Sequence, residues 1–208
     1  MIAVHHLGLF ILSGLLLNIT PGQDTLYIVG RTMSQGRRAG LLSVLGIVTG
    51  SVIHTLAAAF GLSAILATSA MAFTIVKMVG AAYLIYLGVK MLLDRSAAPT
   101  VAREFQREGD WMIYRAGLLT NVLNPKVALF FMAFLPQFVD PTAGSRVLSF
   151  LFLGAVFIVN GTLWCLVLVA AASAMSRRLR ESPSMSVILR RATGILFVGL
   201  GARLAASR

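Results

Sequence analysis

Long apolar stretches alternate with short polar ones along the whole chain. Crossing a bilayer takes about 20 mostly apolar residues, and stretches of that size run roughly over 5–30, 39–67, 70–93, 114–138, 147–175 and 187–206. The second and third are joined so closely that they must fold back as a helical hairpin. Residues 94–113 break the pattern, because Asp94, Arg95, Pro99, Arg103, Glu104, Arg107, Glu108 and Asp110 mark a solvated linker or surface helix. The pattern predicts an all-α integral membrane protein. One three-helix unit occupies 1–93, a linker 94–113, and a second three-helix unit 114–208.

Two of the six stretches are interrupted. Pro21 follows Asn18-Ile19-Thr20, and Pro125 follows Asn121-Val122-Leu123-Asn124. Proline inside a helix removes one backbone hydrogen bond and clashes with the carbonyl four residues back, which here frees the carbonyls of Leu17 and Asn121. Within hydrocarbon a freed backbone group persists only where protein, water or a ligand satisfies it. The first and fourth helices are therefore expected to break at Pro21 and Pro125, and the breaks to face one another around a polar pocket inside the membrane.

Charge sets the orientation. The chain is 58% hydrophobic and only 12% charged, with a formal net charge of +11. A soluble domain carries about a quarter charged residues, so the length describes a membrane bundle. The positive charge reads as loop lysine and arginine, not as a nucleic-acid footprint. Arg31, Arg37 and Arg38 follow the first span. Lys90, Arg95, Arg103, Arg107 and Arg115 follow the third, and Arg177, Arg178, Arg180, Arg190 and Arg191 the fifth. The opposite side has Arg146, Arg203 and Arg208. By the positive-inside rule the odd-numbered connections are cytoplasmic, and both termini lie outside. The N-terminus lacks the basic segment and small-residue cleavage site of a signal peptide.

The two halves also echo each other. Leu87-Gly88-Val89-Lys90 ends the third span and Leu200-Gly201-Ala202-Arg203 the sixth. Three spans per half is an odd number, so the second half must be inverted relative to the first. Inverted repeats whose broken helices meet near the midplane are a signature of secondary transporters.

The chemistry concentrates at the breaks. Asp24 is the only acidic residue inside a span, and a carboxylate there costs about 2.5–3.5 kcal/mol unless it has a partner or a role. It is the candidate proton-coupling residue; capping the half-helix after Pro21 is the simpler use. Gly22, Gln23 and Asp24 open that half-helix, whose amides suit a substrate carboxylate. Lys126 should face the same pocket, binding a carboxylate or pairing with Asp24 when the pocket is empty. Lys77 lies nearer a helix end, where snorkelling to the headgroups is expected. Asn18, Thr20, Asn121 and Asn124 surround the breaks, either holding freed backbone groups or touching ligand. His54 and Asn160, mid-span, are secondary candidates for proton relay or substrate contact, although interhelical hydrogen bonds are the commoner use. Gly46 and Gly50 suggest close helix packing.

Enzyme signatures are missing: there is no HExxH, no GxSxG and no phosphate loop. His5, His6 and His54 do not combine with cysteines into a metal set, and no cofactor is expected. A thiol-redox carrier would need two cysteines, and the chain has only Cys165. A metal or anion exporter and a non-transporting membrane protein are the remaining alternatives.

Thr20-Pro21-Gly22-Gln23-Asp24-Thr25-Leu26-Tyr27, Gly36-Arg37-Arg38-Ala39-Gly40 and Asn124-Pro125-Lys126-Val127-Ala128-Leu129-Phe130-Phe131 resemble the LysE/RhtB amino-acid exporters over essentially the whole chain. The Asn-Pro-Lys block is the more specific match. Members usually carry Pro-Gly-Pro where this chain has Pro21-Gly22-Gln23, a departure that alters the stiffness of the first break. The resemblance implies a bacterial inner-membrane protein that exports amino acids or close derivatives, driven by the proton motive force. The family's exporters take basic amino acids, threonine and homoserine types, or homoserine lactones. Within that range a lysine or arginine side chain would call for a second intramembrane carboxylate, so neutral amino acids such as threonine, homoserine or branched-chain types are favoured, with the substrate amino group meeting Asp24. Implied partners are an amino acid, protons and membrane lipids, with no nucleic acid; a homo-oligomer is compatible.

Overall fold

The computed structural model describes residues 4–62, 107–140 and 145–174, with individual helical residues within 71–93 and at 195, 198 and 202. Most of the predicted third and sixth spans and of the linker, together with Lys77, therefore lies outside the described residues. Those described form helices and one isolated antiparallel bridge between Val4 and Val139.

Helix α1 spans Leu7–Ile19 and α2 spans Gln23–Gln35. Between them Thr20 is extended (φ −63°, ψ 123°), the conformation that a following proline imposes on its neighbour. The second limb of the interrupted span is longer and more polar than expected, reaching past residue 30 to Gln35. Gly36, with φ 85°, turns the chain into α3 (Arg37–Leu56); that left-handed geometry suits a residue without Cβ. Helix α3 continues through a wider π turn over Ala57–Leu62.

Helix α4 spans Asp110–Val122, so its first turn takes up residues assigned above to the linker. Asn124 is again extended before proline (φ −76°, ψ 107°), and its side-chain oxygen accepts from the Lys126 backbone N–H at 3.0 Å. That cap starts the short α5 (Pro125–Leu129), which runs on through Phe130–Phe134 and Leu135–Phe138. The axis bends by 45° at the break. Helix α6 spans Arg146–Ala174. By length and composition Arg37–Leu62 and Arg146–Ala174 can each cross a membrane, and Asp110–Val122 with Pro125–Phe138 makes a third, broken span.

Two apolar clusters organise the packing. In the first, Phe10 of α1 meets Phe130, Phe134 and Phe138 beyond the second break and Phe157 of α6, with ring centroids of 4.9 Å for Phe130–Phe157 and 5.3 Å for Phe10–Phe138. The second joins Tyr27 and Ile28 of α2, Val44 and Ile47 of α3, and Cys165 and Val169 of α6. Along α6 the clusters are separated by the turns that carry Ile158, Gly161, Thr162 and Trp164. The bundle is polar there.

Helices α3 and α4 touch backbone to backbone. A Cβ on Gly46 would collide with the carbonyl of Tyr114 and the amide of Leu118, and one on Gly50 would lie 2.6 Å from the Asn121 side-chain oxygen. On the facing helix, a Cβ on Gly117 would lie 2.8 Å from the Ser43 carbonyl. The Gly46/Gly50 pair is thus the close-packing face its spacing predicts.

Basic residues after the first span are not simply solvated. Arg31, with a 4% exposed side chain, pairs with Glu108 at 2.6 Å, bonds Gln35 at 2.7 Å and lies over the Tyr27 ring. Its bonds to Glu108 and Gln35 and its place over the Tyr27 ring compensate the charge for leaving water. Gln35 donates to the Glu108 carbonyl and Tyr27 to the Ile113 carbonyl, fastening α2 to the start of α4.

Candidate functional site

The two breaks meet. The Lys126 ammonium donates to the carbonyls of Leu17 at 3.0 Å and Thr20 at 3.1 Å. The first of these is the carbonyl that Pro21 deprives of its helical donor. The end of α1 also carries the negative pole of its helix dipole, which favours a cation there. The carbonyl freed by the other proline, on Asn121, accepts from the Asn124 N–H at 3.0 Å and lies 3.2 Å from His54 Nε2.

Asp24 is held from the second half. The Asn121 side-chain amide donates to Asp24 Oδ2 at 2.8 Å, and Asn121 Oδ1 accepts from the Ser51 hydroxyl at 3.4 Å. The other carboxylate oxygen, Oδ1, is buried without a hydrogen-bond partner. Among the described residues Lys126 and Asp24 form no ion pair, one of the two roles open to Lys126. The reason is local: freed carbonyls engage the ammonium, and a rigid amide engages the carboxylate.

Both charges nevertheless line one small cavity, of about 30 Å³. Its polar wall is Asn18, Asp24, Ser51, Asn121 and Lys126, joined by Thr25, Thr162 and Trp164; Ile47, Val48, Phe157 and Ile158 supply apolar surface. Two more buried polar atoms here have no partner, Asn18 Nδ2 and Trp164 Nε1.

Of the residues expected at the site, Asn18, Asp24, Asn121 and Lys126 come together. The others do not reach the cavity wall. The Thr20 hydroxyl donates back to the Leu16 carbonyl at 2.6 Å, and Asn124 Oδ1 makes the cap of α5 while its Nδ2, off the cavity wall, is buried without a partner. Gln23 is exposed, and a Cβ on Gly22 would lie 3.0 Å from Lys126 Nζ, so the ammonium stands before that helix end. His54 stacks on Phe131 at 5.7 Å, and Asn160 donates to the Ile11 carbonyl at 3.1 Å, the interhelical use anticipated for such residues. Ser51, Thr162 and Trp164 were not foreseen. A serine or tryptophan in an apolar span is ordinary, and no signal along the chain marks which way it points. Cys165 is buried, as its apolar surroundings predict, and it also lines the cavity. No group of three or more His, Cys, Asp or Glu among the described residues could hold a metal ion.

Membrane-length helices, one of them broken, enclosing a charged cavity define a multi-pass membrane protein of transporter type. The chain matches the LysE type translocator family model over residues 15–208 and belongs to that family. Similar proteins include an uncharacterized membrane protein of Vibrio cholerae, 31% identical over 96% of each chain. YrhP, an uncharacterized membrane protein of Bacillus subtilis, is 32% identical over 95% of this chain and 97% of its own. A protein named leucine efflux protein from Enterobacter sp. strain 638 is 28% identical over 94% and 93%. No solved structure matches.

Proposed function

We propose that the protein exports neutral amino acids with apolar side chains, of the leucine type, from the bacterial cytoplasm in exchange for protons. The observation that carries the reading is a cavity holding one carboxylate with a buried, unengaged oxygen, Asp24 Oδ1, and one ammonium, that of Lys126. An acid and a base facing one small space complement a zwitterion better than a net cation. The apolar surface of Ile47, Val48, Phe157 and Ile158 favours a hydrocarbon side chain over the hydroxylated threonine or homoserine. Relatives named leucine efflux protein support the same choice.

In this reading the substrate amino group meets Asp24 Oδ1, and its carboxylate lies towards Lys126. Protonation of Asp24 from outside removes the charge that holds the amino group, and deprotonation inside restores it. The chain sits in the inner membrane as two inverted three-span halves, 1–93 and 114–208, with both termini outside, as the arginine and lysine bias indicates.

The test is labelled-leucine transport into inside-out vesicles, with and without an imposed pH gradient. Wild-type protein accumulates leucine under the gradient and Asp24→Asn does not. Gradient-driven transport by Asp24→Asn at the wild-type rate would remove the coupling role, and strong preference for lysine would remove the substrate class.

A further inference from the structure

Asp24 Oδ1 is not alone in lacking a partner. The side-chain nitrogens Asn18 Nδ2 and Trp164 Nε1 are buried without hydrogen bonds, and both residues line the same cavity. Native proteins satisfy nearly all buried polar groups, and an exception calls for an explanation. The reason is sharper in a membrane, where no bulk water stands by to take the bond.

The chemistry of the two nitrogens points one way. Indole nitrogen is a donor and never an acceptor, and an amide nitrogen likewise only donates. Two unspent donors on one wall suit an acceptor-rich group, whereas the unspent atom of Asp24 is an acceptor and suits a donor. A tryptophan in a membrane span ordinarily turns its N–H to the headgroups, where it finds a partner. Here the N–H is buried instead, on a ring that is itself only partly buried, between the two apolar clusters of α6 and next to Cys165. Asn18 reaches it from α1, packed at Gly161 one turn before Trp164: a Cβ on Gly161 would lie 3.3 Å from Asn18 Nδ2.

We propose that Asn18 and Trp164 form the carboxylate half of the amino-acid site and make it selective for free amino acids over their amides, esters and lactones. This rests on the export reading above and adds to it the group that is discriminated and the residues that discriminate. Lys126 supplies positive charge but has committed two of its three N–H donors to the carbonyls of Leu17 and Thr20. The directed donors come from α1 and α6. The substrate thus lies across the cavity, its amino group held from α2 and α4 and its carboxylate from α1 and α6.

The experiment is equilibrium binding of labelled leucine and of leucinamide to the purified full-length protein in detergent, with Trp164→Phe and Asn18→Leu as variants. The amide keeps the amino group and side chain but presents no anion. Hydrogen bonds to charged groups set the scale, so wild-type protein should bind leucine roughly ten- to a hundredfold more tightly than leucinamide. Each variant should lower leucine affinity towards the leucinamide level while leaving leucinamide affinity where it was. Retained leucinamide binding shows in the same assay that the variant is folded, and the two substitutions are independent of each other. Asp24→Asn should weaken both probes. The proposal is overturned if wild-type protein does not distinguish the probes, if both variants weaken the two probes alike, or if neither variant changes leucine binding. Failure of the wild-type protein to bind either probe would instead bring down the export reading, and this proposal with it.

Discussion

Lys126 donates its ammonium to the carbonyl of Leu17, 109 residues away in sequence and 3.0 Å away in space. The proline of the first half creates the acceptor, and the residue after the proline of the second half supplies the donor. Each break therefore depends on the other for its stability.

Removing that donor should be costly. Lys126→Met leaves the Leu17 and Thr20 carbonyls without the cation they share, and a buried group left unsatisfied costs about 1–3 kcal/mol. The variant is expected to lower the melting temperature of the detergent-solubilised protein by several degrees or more. An unchanged melting curve would mean that water serves those carbonyls equally well.

Asn121 should matter for position, not charge. Its amide fixes Asp24 Oδ2 and leaves Oδ1 facing the cavity. Asn121→Leu keeps the bulk and removes the bond, so leucine affinity should fall by roughly tenfold, the scale of one lost bond to a charged group. Isothermal calorimetry reads this directly. Affinity at the wild-type level would show that the carboxylate needs no such support.

The glycine contact between α3 and α4 predicts a contrast within one helix. Gly46→Ala would drive a methyl group into the Tyr114 carbonyl and the Leu118 amide, main-chain atoms that cannot swing aside. Overpacking of this kind typically costs about 1–3 kcal/mol. Gly61→Ala meets nothing within 4 Å and should leave stability unchanged or slightly raised. Thermal unfolding of the two variants side by side checks the pair.

The Arg31–Glu108 pair predicts a local effect. Glu108→Ala takes the carboxylate from a guanidinium whose side chain is only 4% exposed, but Glu108 itself is 35% exposed and Arg31 keeps Gln35 and the Tyr27 ring, so the loss should be about 1 kcal/mol. Hydrogen exchange should quicken in the first turns of α4, where Tyr27 also holds the Ile113 carbonyl. Exchange confined to its wild-type rate would make the pair a surface decoration.

Much of this was legible before any coordinates. The two breaks were, because proline states its own geometry and dictates an extended residue before it, as Thr20 and Asn124 both are. Asp24, Asn121 and Lys126 were legible as a group, since charge and amide inside apolar stretches demand partners. Which partner each takes was not. Lys126 and Asp24, which could have paired with each other, instead meet carbonyls and an amide, because those acceptors and donors arise only when the two broken helices are brought together. Gln23, Thr20 and Asn124 sat beside the prolines in sequence but face away from the cavity or serve the backbone. Trp164 was invisible for the converse reason: its type is common in such a span, and only the burial of its N–H sets it apart. The pairing of Arg31 with Glu108 links segments whose proximity no local pattern encodes.

Main-chain contact between α3 and α4 has a mechanical consequence. Helices that touch through their backbones have no layer of side chains between them to rearrange, so they can pivot slightly but cannot part without losing the whole seam. The wall that carries Ile47, Ser51 and Asn121 is then a fixed keel. In the proposed exchange, opening the cavity to each side of the membrane in turn would then fall to α1, α2 and α6, swinging against it.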